Sequence, residues 1–117
     1  MKAININDKT FPFTEKILNG EKSIETRGSN SLRSVVGQRV GLIRTGCGRA
    51  TLVGYADVTG VVKYDTAAAF RADYGRHLVE PGSRYDIKDV KYGYVLENVE
   101  RCDPVPVTSR GIVIRNI

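Results

Sequence analysis

The chain of 117 residues has only two cysteines, one histidine, one methionine and no tryptophan. Two thiols, Cys47 and Cys102, can close at most one bridge, which excludes the disulfide-framed secreted scaffolds and makes a reducing cytoplasm the expected location. One histidine and two cysteines leave a four-ligand zinc site short of donors unless carboxylates complete it. Asp57, Asp65 and Asp73 are too scattered to predict a magnesium site. No metal-binding residue and no cofactor is therefore predicted, and a requirement for a divalent metal stays open. Long apolar runs are missing as well. Nothing approaches the roughly 20 residues that cross a bilayer, and the segment Met1 to Lys9 alternates apolar and polar residues, so neither export nor a membrane partner is expected. Repeats, low-complexity tracts and long linkers are absent. With 41% apolar and 26% charged residues, residues 1–117 read as a single globular domain. Such a domain buries roughly two thirds of the surface its unfolded chain would expose, without metal or disulfide staples.

The charge that is present is unevenly placed. The net charge is +5, from 18 Lys and Arg against 13 Asp and Glu. Five arginines, Arg27, Arg33, Arg39, Arg44 and Arg49, fall between Thr26 and Ala56, a stretch with no lysine and no acidic residue. That stretch carries the whole excess. A planar guanidinium grips phosphate through two parallel hydrogen bonds and stacks on bases. The cluster thus points to an anionic partner, RNA or a nucleotide first, with an affinity that falls as salt rises. The competing reading is a solvated surface whose arginines pair with carboxylates from elsewhere in the fold.

Hydrophobic spacing outlines the elements. Lys2 to Ile6 alternates Ala3 and Asn5 against Ile4 and Ile6, which predicts a strand. Thr10 as a cap, Pro12 in the first turn and the stripe Phe13, Ile17 and Leu18 predict a short helix stopped at Gly20. Glu21 to Arg27 and Gln38 to Arg44 read as strands; Leu32 to Val36 is too short to assign. The loop Thr45-Gly46-Cys47-Gly48-Arg49 lets the backbone turn or approach a ligand, yet it lacks the lysine and the strand-to-helix setting of a P-loop. Ala50 to Tyr64 is a long β-rich stretch interrupted by Gly54 and Gly60, places for a bulge or a barrel corner. Asp65 is expected to cap a helix from Thr66 to Tyr74, closed by Gly75. Beyond a Pro81-Gly82 turn, Arg76 to Val90 has no clear pattern. Lys91 to Val99 and Gly111 to Ile117 return to strands, joined through Asp103-Pro104-Val105-Pro106. The expected fold class is mainly β with flanking helices (α+β), a small and strongly bent sheet or barrel.

Gly20-Glu21-Lys22-Ser23-Ile24-Glu25-Thr26-Arg27 concentrates the reactive side chains. Strand parity puts Lys22, Ile24 and Thr26 on one face and Ser23, Glu25 and Arg27 on the other. With Ile24 in the core, Lys22 would lie at the rim, its amine partly desolvated and so lowered in pKa toward use as a base. Glu25 and Arg27 would form a same-face pair, either orienting the arginine for an anion or serving as a plain surface ion pair. Arg44 shares parity with Val40 and Leu42 and should emerge at the mouth of the barrel. Tyr92 and Tyr94 share parity with Leu96, which suits core packing or a stacking platform for an unpaired base. Cys47 and His77 would form a nucleophilic pair only if the fold brought them together.

The run Ile17-Leu18-Asn19-Gly20-Glu21-Lys22-Ser23-Ile24-Glu25-Thr26-Arg27, followed by Gly37 and a strand ending in Arg44-Thr45-Gly46, resembles the signature of the ASCH domain, Gly-x-Lys-x-x-Glu-x-Arg. Gly54-Tyr55-Ala56-Asp57-Val58 is similar to the family's second Gly-containing strand. Tyr92-Gly93-Tyr94-Val95-Leu96-Glu97-Asn98-Val99, with Pro104-Val105-Pro106 after it, is similar to the strand and turn that close such domains. The likeness spans nearly the whole chain. It implies a PUA-like small β-barrel with a cleft beside the Lys-Glu-Arg strand, associated with RNA or nucleosides. Some family members are ribonuclease-like, and a smaller branch removes acyl groups from modified cytidine with a lysine, a threonine and a separate glutamate. Lys22 matches that lysine, whereas the threonine falls at Glu25; Thr26, one residue on, points to the opposite face. The leading expectation is an RNA- or nucleotide-binding ASCH domain, with ribonuclease activity on single-stranded RNA as its catalytic form. Lys22 and Glu25 would stand at the reacting group, Arg27, Arg33, Arg44 and Arg49 would hold phosphate, and Tyr92 would stack on a base. The alternatives are an amidohydrolase acting on acylated cytidine nucleosides and a non-enzymatic nucleotide-sensing module.

Overall fold

A computed structural model describes all 117 residues. The alternating N-terminus forms β1 (Lys2–Asn7), the Phe13 stripe forms α1 (Phe13–Leu18), and the charged segment forms β2 (Ile24–Arg27). A 3-10 turn at Arg33–Val35 leads into β3 (Arg39–Thr45), which is followed by the long strand β4 (Thr51–Tyr64). Helices α2 (Ala67–Ala72) and α3 (Tyr74–His77) then precede β5 (Lys91–Pro106) and β6 (Ile114–Asn116). The six strands form one sheet in the order β2-β5-β4-β3-β1-β6. β1 and β3 run parallel, which requires a crossover; α1, β2 and the 3-10 turn supply it.

The core follows from the alternation. Ile4 and Ile6 of β1, Ile17 of α1, Val40 and Leu42 of β3, Phe70 of α2 and Tyr94 of β5 are completely buried in one cluster. Each such side chain contributes about 1.5–3 kcal/mol relative to exposure. Ala3, Ile43 and Leu52 make a small second cluster with Cys102 and Val107 packed against it. Gly54 and Gly60 stand where the pairing of β4 with β5 shifts register. A side chain at Gly93 would come within 2.7 Å of Ile24 and 3.0 Å of Tyr64, so β2, β5 and β4 meet only because that position has none.

The sheet curls without closing, which corrects the expected barrel. In a flat sheet β2 and β1 would lie four strand spacings, about 19 Å, apart, yet Arg27 Nη2 of β2 donates to the Asn5 carbonyl of β1 at 2.5 Å. The bend brings the free edge of β2 back toward β1. No strand ladder joins them, because β2 has four residues and pairs only with β5; a guanidinium spans the seam instead.

Several local expectations also change. Thr10 does not cap α1; the Asp8 carboxylate accepts from the Thr14 backbone N–H at 3.0 Å and from its hydroxyl. Thr66, rather than Asp65, caps α2 by accepting from Ala69 N at 3.1 Å. Gly75 lies inside α3, and the stop falls at Leu78, in the left-handed conformation with φ 58°. Asp103 to Pro106 belong to β5 rather than to a connection. There β5 pairs only with β4, and an edge tolerates proline's missing N–H. No helix is long and apolar enough to cross a membrane.

Candidate functional site

Lys22 lies just before β2, where the backbone is tied to two helices: its N–H donates to the Lys16 carbonyl, and that of Ser23 donates to the Arg76 carbonyl. Strand parity therefore begins two residues too late, at Ile24, to govern Lys22. Its side chain is buried, with 1% of its area exposed. The ammonium donates to the His77 carbonyl at 2.5 Å, sits 4.4 Å from the centre of the Phe13 ring and stands 3.7 Å from Glu25 Oε1. The His77 carbonyl belongs to the last turn of α3 and has no partner within the helix, so Lys22 caps it with a charge of favourable sign. Burial pushes the Lys22 pKa down and Glu25 pulls it back up.

Glu25 is equally constrained. Its second oxygen accepts from Arg27 Nη1, and Arg27 also donates to the carbonyls of Thr26 at 3.1 Å and Asn5 at 2.5 Å. Lys22, Glu25 and Arg27 thus form a line from the buried end of α3 to the open seam between β2 and β1.

At that seam lies a cleft of about 320 Å³, walled by Asn5, Asn7, Phe13, Glu25, Thr26, Arg27, Gly28, Thr45, Arg84, Tyr85, Lys91, Ile112 and Val113. Three cations face one carboxylate on its wall, with the Lys22 ammonium behind. Lys91, the first residue of β5, is 8% exposed, and its ammonium forms no hydrogen bond or ion pair with the protein. Burial, the larger influence, lowers its pKa, while Glu25 raises it. Phe13 and Tyr85 supply aromatic surface, with ring centres 5.8 Å apart. The Tyr85 hydroxyl is buried without a protein partner, a condition that calls for an explanation in a folded protein. Asn5 ties the C-terminal segment to the cleft through bonds from its Nδ2 to the Gly111 and Ile112 carbonyls at 2.9 and 2.8 Å.

The loop that brings Arg84 and Tyr85 to the cleft is held by Asp86. Its carboxylate accepts from Arg71 at 2.7 Å, from Gly82 N at 2.8 Å and from Ile87 N at 2.9 Å. Arg71 first, and then these backbone donors, hold its pKa down to about 2.

Of the side chains singled out from the sequence, Glu25 and Arg27 line the cleft and Lys22 backs them. Arg33 and Arg49 are exposed and outside the cleft wall. Arg44 is half-buried, also outside it, with its Nε unpaired and its charge acting on Glu15 of α1. Tyr92 pairs opposite Arg27 across β2 and β5, but its ring packs against the core and not into the cleft. Arg39 is taken up by Asp57 at 3.0 Å and Glu100 at 2.8 Å. The five arginines therefore do not converge. His77 is buried, with Nε2 2.6 Å from the Phe70 carbonyl and Nδ1 accepting from Val79 N at 2.9 Å. Burial lowers its pKa. Both ring nitrogens are committed, which leaves none for the exposed Cys47. No three His, Cys, Asp or Glu side chains group as metal ligands. Sequence reasoning missed Asn5, Phe13, Arg84, Tyr85 and Lys91 as members of one site, since they come from four separate parts of the chain.

No family model and no curated protein matches the chain. Solved structures do. The ASCH protein from Zymomonas mobilis superposes with a TM-score of 0.70 at 18% identity, covering 91% of this chain and 73% of that one. A tyrosine-to-phenylalanine mutant of the same protein gives a TM-score of 0.72 at 18% identity, covering 91% and 75%. A serine-to-alanine mutant gives 0.71 at 18%, covering 90% and 72%. At that identity the likeness concerns the backbone, and the curled six-stranded sheet with its short helices is accordingly an ASCH-domain fold.

Proposed function

We propose that the seam cleft binds an unpaired nucleotide unit of RNA. The observation that carries this reading is Lys91, a largely buried side chain at the cleft wall whose ammonium makes no hydrogen bond or ion pair with the protein. Glu25 and Asp86 act on that charge only from beyond ion-pair distance, and a phosphate in the cleft would pair it directly, with Arg27 and Arg84 beside it. Guanidinium and ammonium groups together suit phosphate oxygens. Tyr85, half-buried on the cleft wall with the Phe13 ring packed edge-on against it, offers a base the aromatic surface that single-stranded ligands use. A volume of about 320 Å³ stands at the low end of small-ligand sites, which run from roughly 300 to 1,000 Å³; it suits one splayed-out nucleotide and not a duplex. The test is titration of a labelled single-stranded RNA at two salt concentrations. Lys91→Met should weaken binding about tenfold, equivalent to ~1.4 kcal/mol, and flatten the salt dependence. Unchanged affinity would overturn the reading.

Glu25 favours a catalytic form of the same reading, because it is the one carboxylate on the cleft wall. As a general base it would take the proton of a ribose 2′-hydroxyl while that oxygen bonds to the adjacent phosphorus. Arg27 and Lys91 would stabilise the charge that gathers on the phosphate oxygens. The P–O5′ bond would break, and its oxygen would take a proton from Lys91. RNA ending in a 2′,3′-cyclic phosphate after incubation, with and without chelator, would support this; RNA left intact makes the domain a binding or nucleotide-sensing module. The amidohydrolase alternative asks Lys22 to meet the substrate, and the bond to the His77 carbonyl together with near-complete burial disfavours it.

A further inference from the structure

Beside the seam cleft lies a second depression of about 360 Å³, walled by Gly28, Arg84, Asp86, Lys88, Asp89, Val90 and Lys91. It shares Gly28, Arg84 and Lys91 with the first, so the two adjoin and Lys91 stands on the wall of both. Arg84, Lys88 and Lys91 give the depression three cations against Asp86 and Asp89. Asp86 is already committed to Arg71 and to two backbone N–H groups, which leaves a cationic surplus with no apolar ring on the wall. A site with charge and no stacking surface suits a phosphate more than a base.

We infer that this depression holds the phosphate of the neighbouring nucleotide, so that the ligand is a strand of at least two nucleotides and not a free mononucleotide. The inference rests on the nucleotide reading of the seam cleft. Lys91, nine-tenths buried and unpaired, serves both phosphates from that shared wall. Arg84 projects from the loop held by Asp86 and packs its guanidinium 5.2 Å from the centre of the Tyr85 ring. Arg84 lines both depressions, whereas Tyr85 lines the seam cleft alone. Lys88 is exposed and belongs to the second depression alone.

Calorimetric titration with 2′-O-methyl uridine 5′-monophosphate and with the 5′-phosphorylated 2′-O-methyl diuridylate tests it, the methyl groups preventing strand cleavage. The diuridylate should bind about tenfold more tightly, and Lys88→Ala should bring it close to the monophosphate's affinity. The same change should reduce the diuridylate's salt slope by roughly 0.7, the value for one phosphate contact on a single strand. Monophosphate binding should not respond to Lys88→Ala, and Lys2→Ala, which removes an exposed charge from β1, should affect neither ligand. Equal affinity for the two ligands, or a diuridylate affinity indifferent to Lys88→Ala, would overturn the second subsite and leave the first standing. Failure of wild-type protein to bind either ligand would overturn both.

Discussion

Arg27 and Arg39 come from the same acid-free stretch and meet opposite circumstances. Arg39 lies on the sheet surface between Asp57 and Glu100, a third of its side chain exposed, with both carboxylates holding its charge more firmly than usual. Arg27 spans the seam between β2 and β1, shares Glu25 with the buried Lys22 and faces a cleft that also contains unpaired Lys91. Only the second region has positive charge left over for a ligand. Clustering along a chain counts guanidinium groups, whereas recognition depends on those whose counterions the fold does not already provide.

Removing the shared carboxylate should have the largest effect. Glu25→Gln keeps the shape but leaves Lys22 buried with no counterion, and breaking one partner of a buried pair destabilises by about 3 kcal/mol. Urea unfolding would measure the fall in midpoint; a loss no larger than that of Arg39→Ala would erase the contrast between the two regions. The sign of the pH dependence follows from Lys22. Its folded-state pKa lies below the ordinary 10.5, so the unfolded chain binds the extra proton between those values and stability rises with pH through that window. The deficit of Glu25→Gln should therefore shrink as pH is raised toward 10.5, where a neutral Lys22 no longer needs its partner.

A smaller effect is expected at the loop that brings Arg84 and Tyr85 to the cleft. Asp86→Asn weakens the clamp on Gly82, Ile87 and Arg71 and should destabilise by about 1 kcal/mol, discounted because Arg71 is half exposed. Because the folded-state pKa of Asp86 is held near 2, its contribution is complete above the ordinary value of 3.8 and declines as pH falls through about 2. Wild type and variant should converge in acid. RNA affinity should drop with the loosened loop, and an unchanged affinity would show that Arg84 and Tyr85 are held in place by something else.

The framework was legible where periodicity governs it. Ile4 and Ile6, the Phe13 stripe, Val40 and Leu42, and the interruptions at Gly54 and Gly60 all do what their spacing predicts. Closure was not, because nothing in β2 says that its free edge will meet β1 through the Arg27 side chain rather than through a backbone ladder. The site was half legible. Glu25 and Arg27 share a face as parity requires, but parity does not extend to Lys22, whose backbone is held by α1 and α3 before the strand starts. Arg84 and Tyr85 sit in a segment shaped by carboxylate-to-backbone bonds from Asp86, which leave no periodic trace. Lys91 reads as an ordinary strand end, and it is buried where β2 and the loop before β5 come together.

The smallest expected effect sharpens the comparison from the other side. Arg39→Ala removes a guanidinium from the same basic stretch, but one whose charge Asp57 and Glu100 already offset. An exposed network of this kind contributes little and is screened by salt, so the variant's urea midpoint should move less than that of Asp86→Asn and less still at high ionic strength. Its RNA affinity should remain that of wild type, since the two carboxylates it frees lie away from the cleft wall. If Arg39→Ala weakened RNA binding as strongly as Lys91→Met, the ligand would be reading the basic surface as a whole, and the distinction between neutralised and free cations would fail.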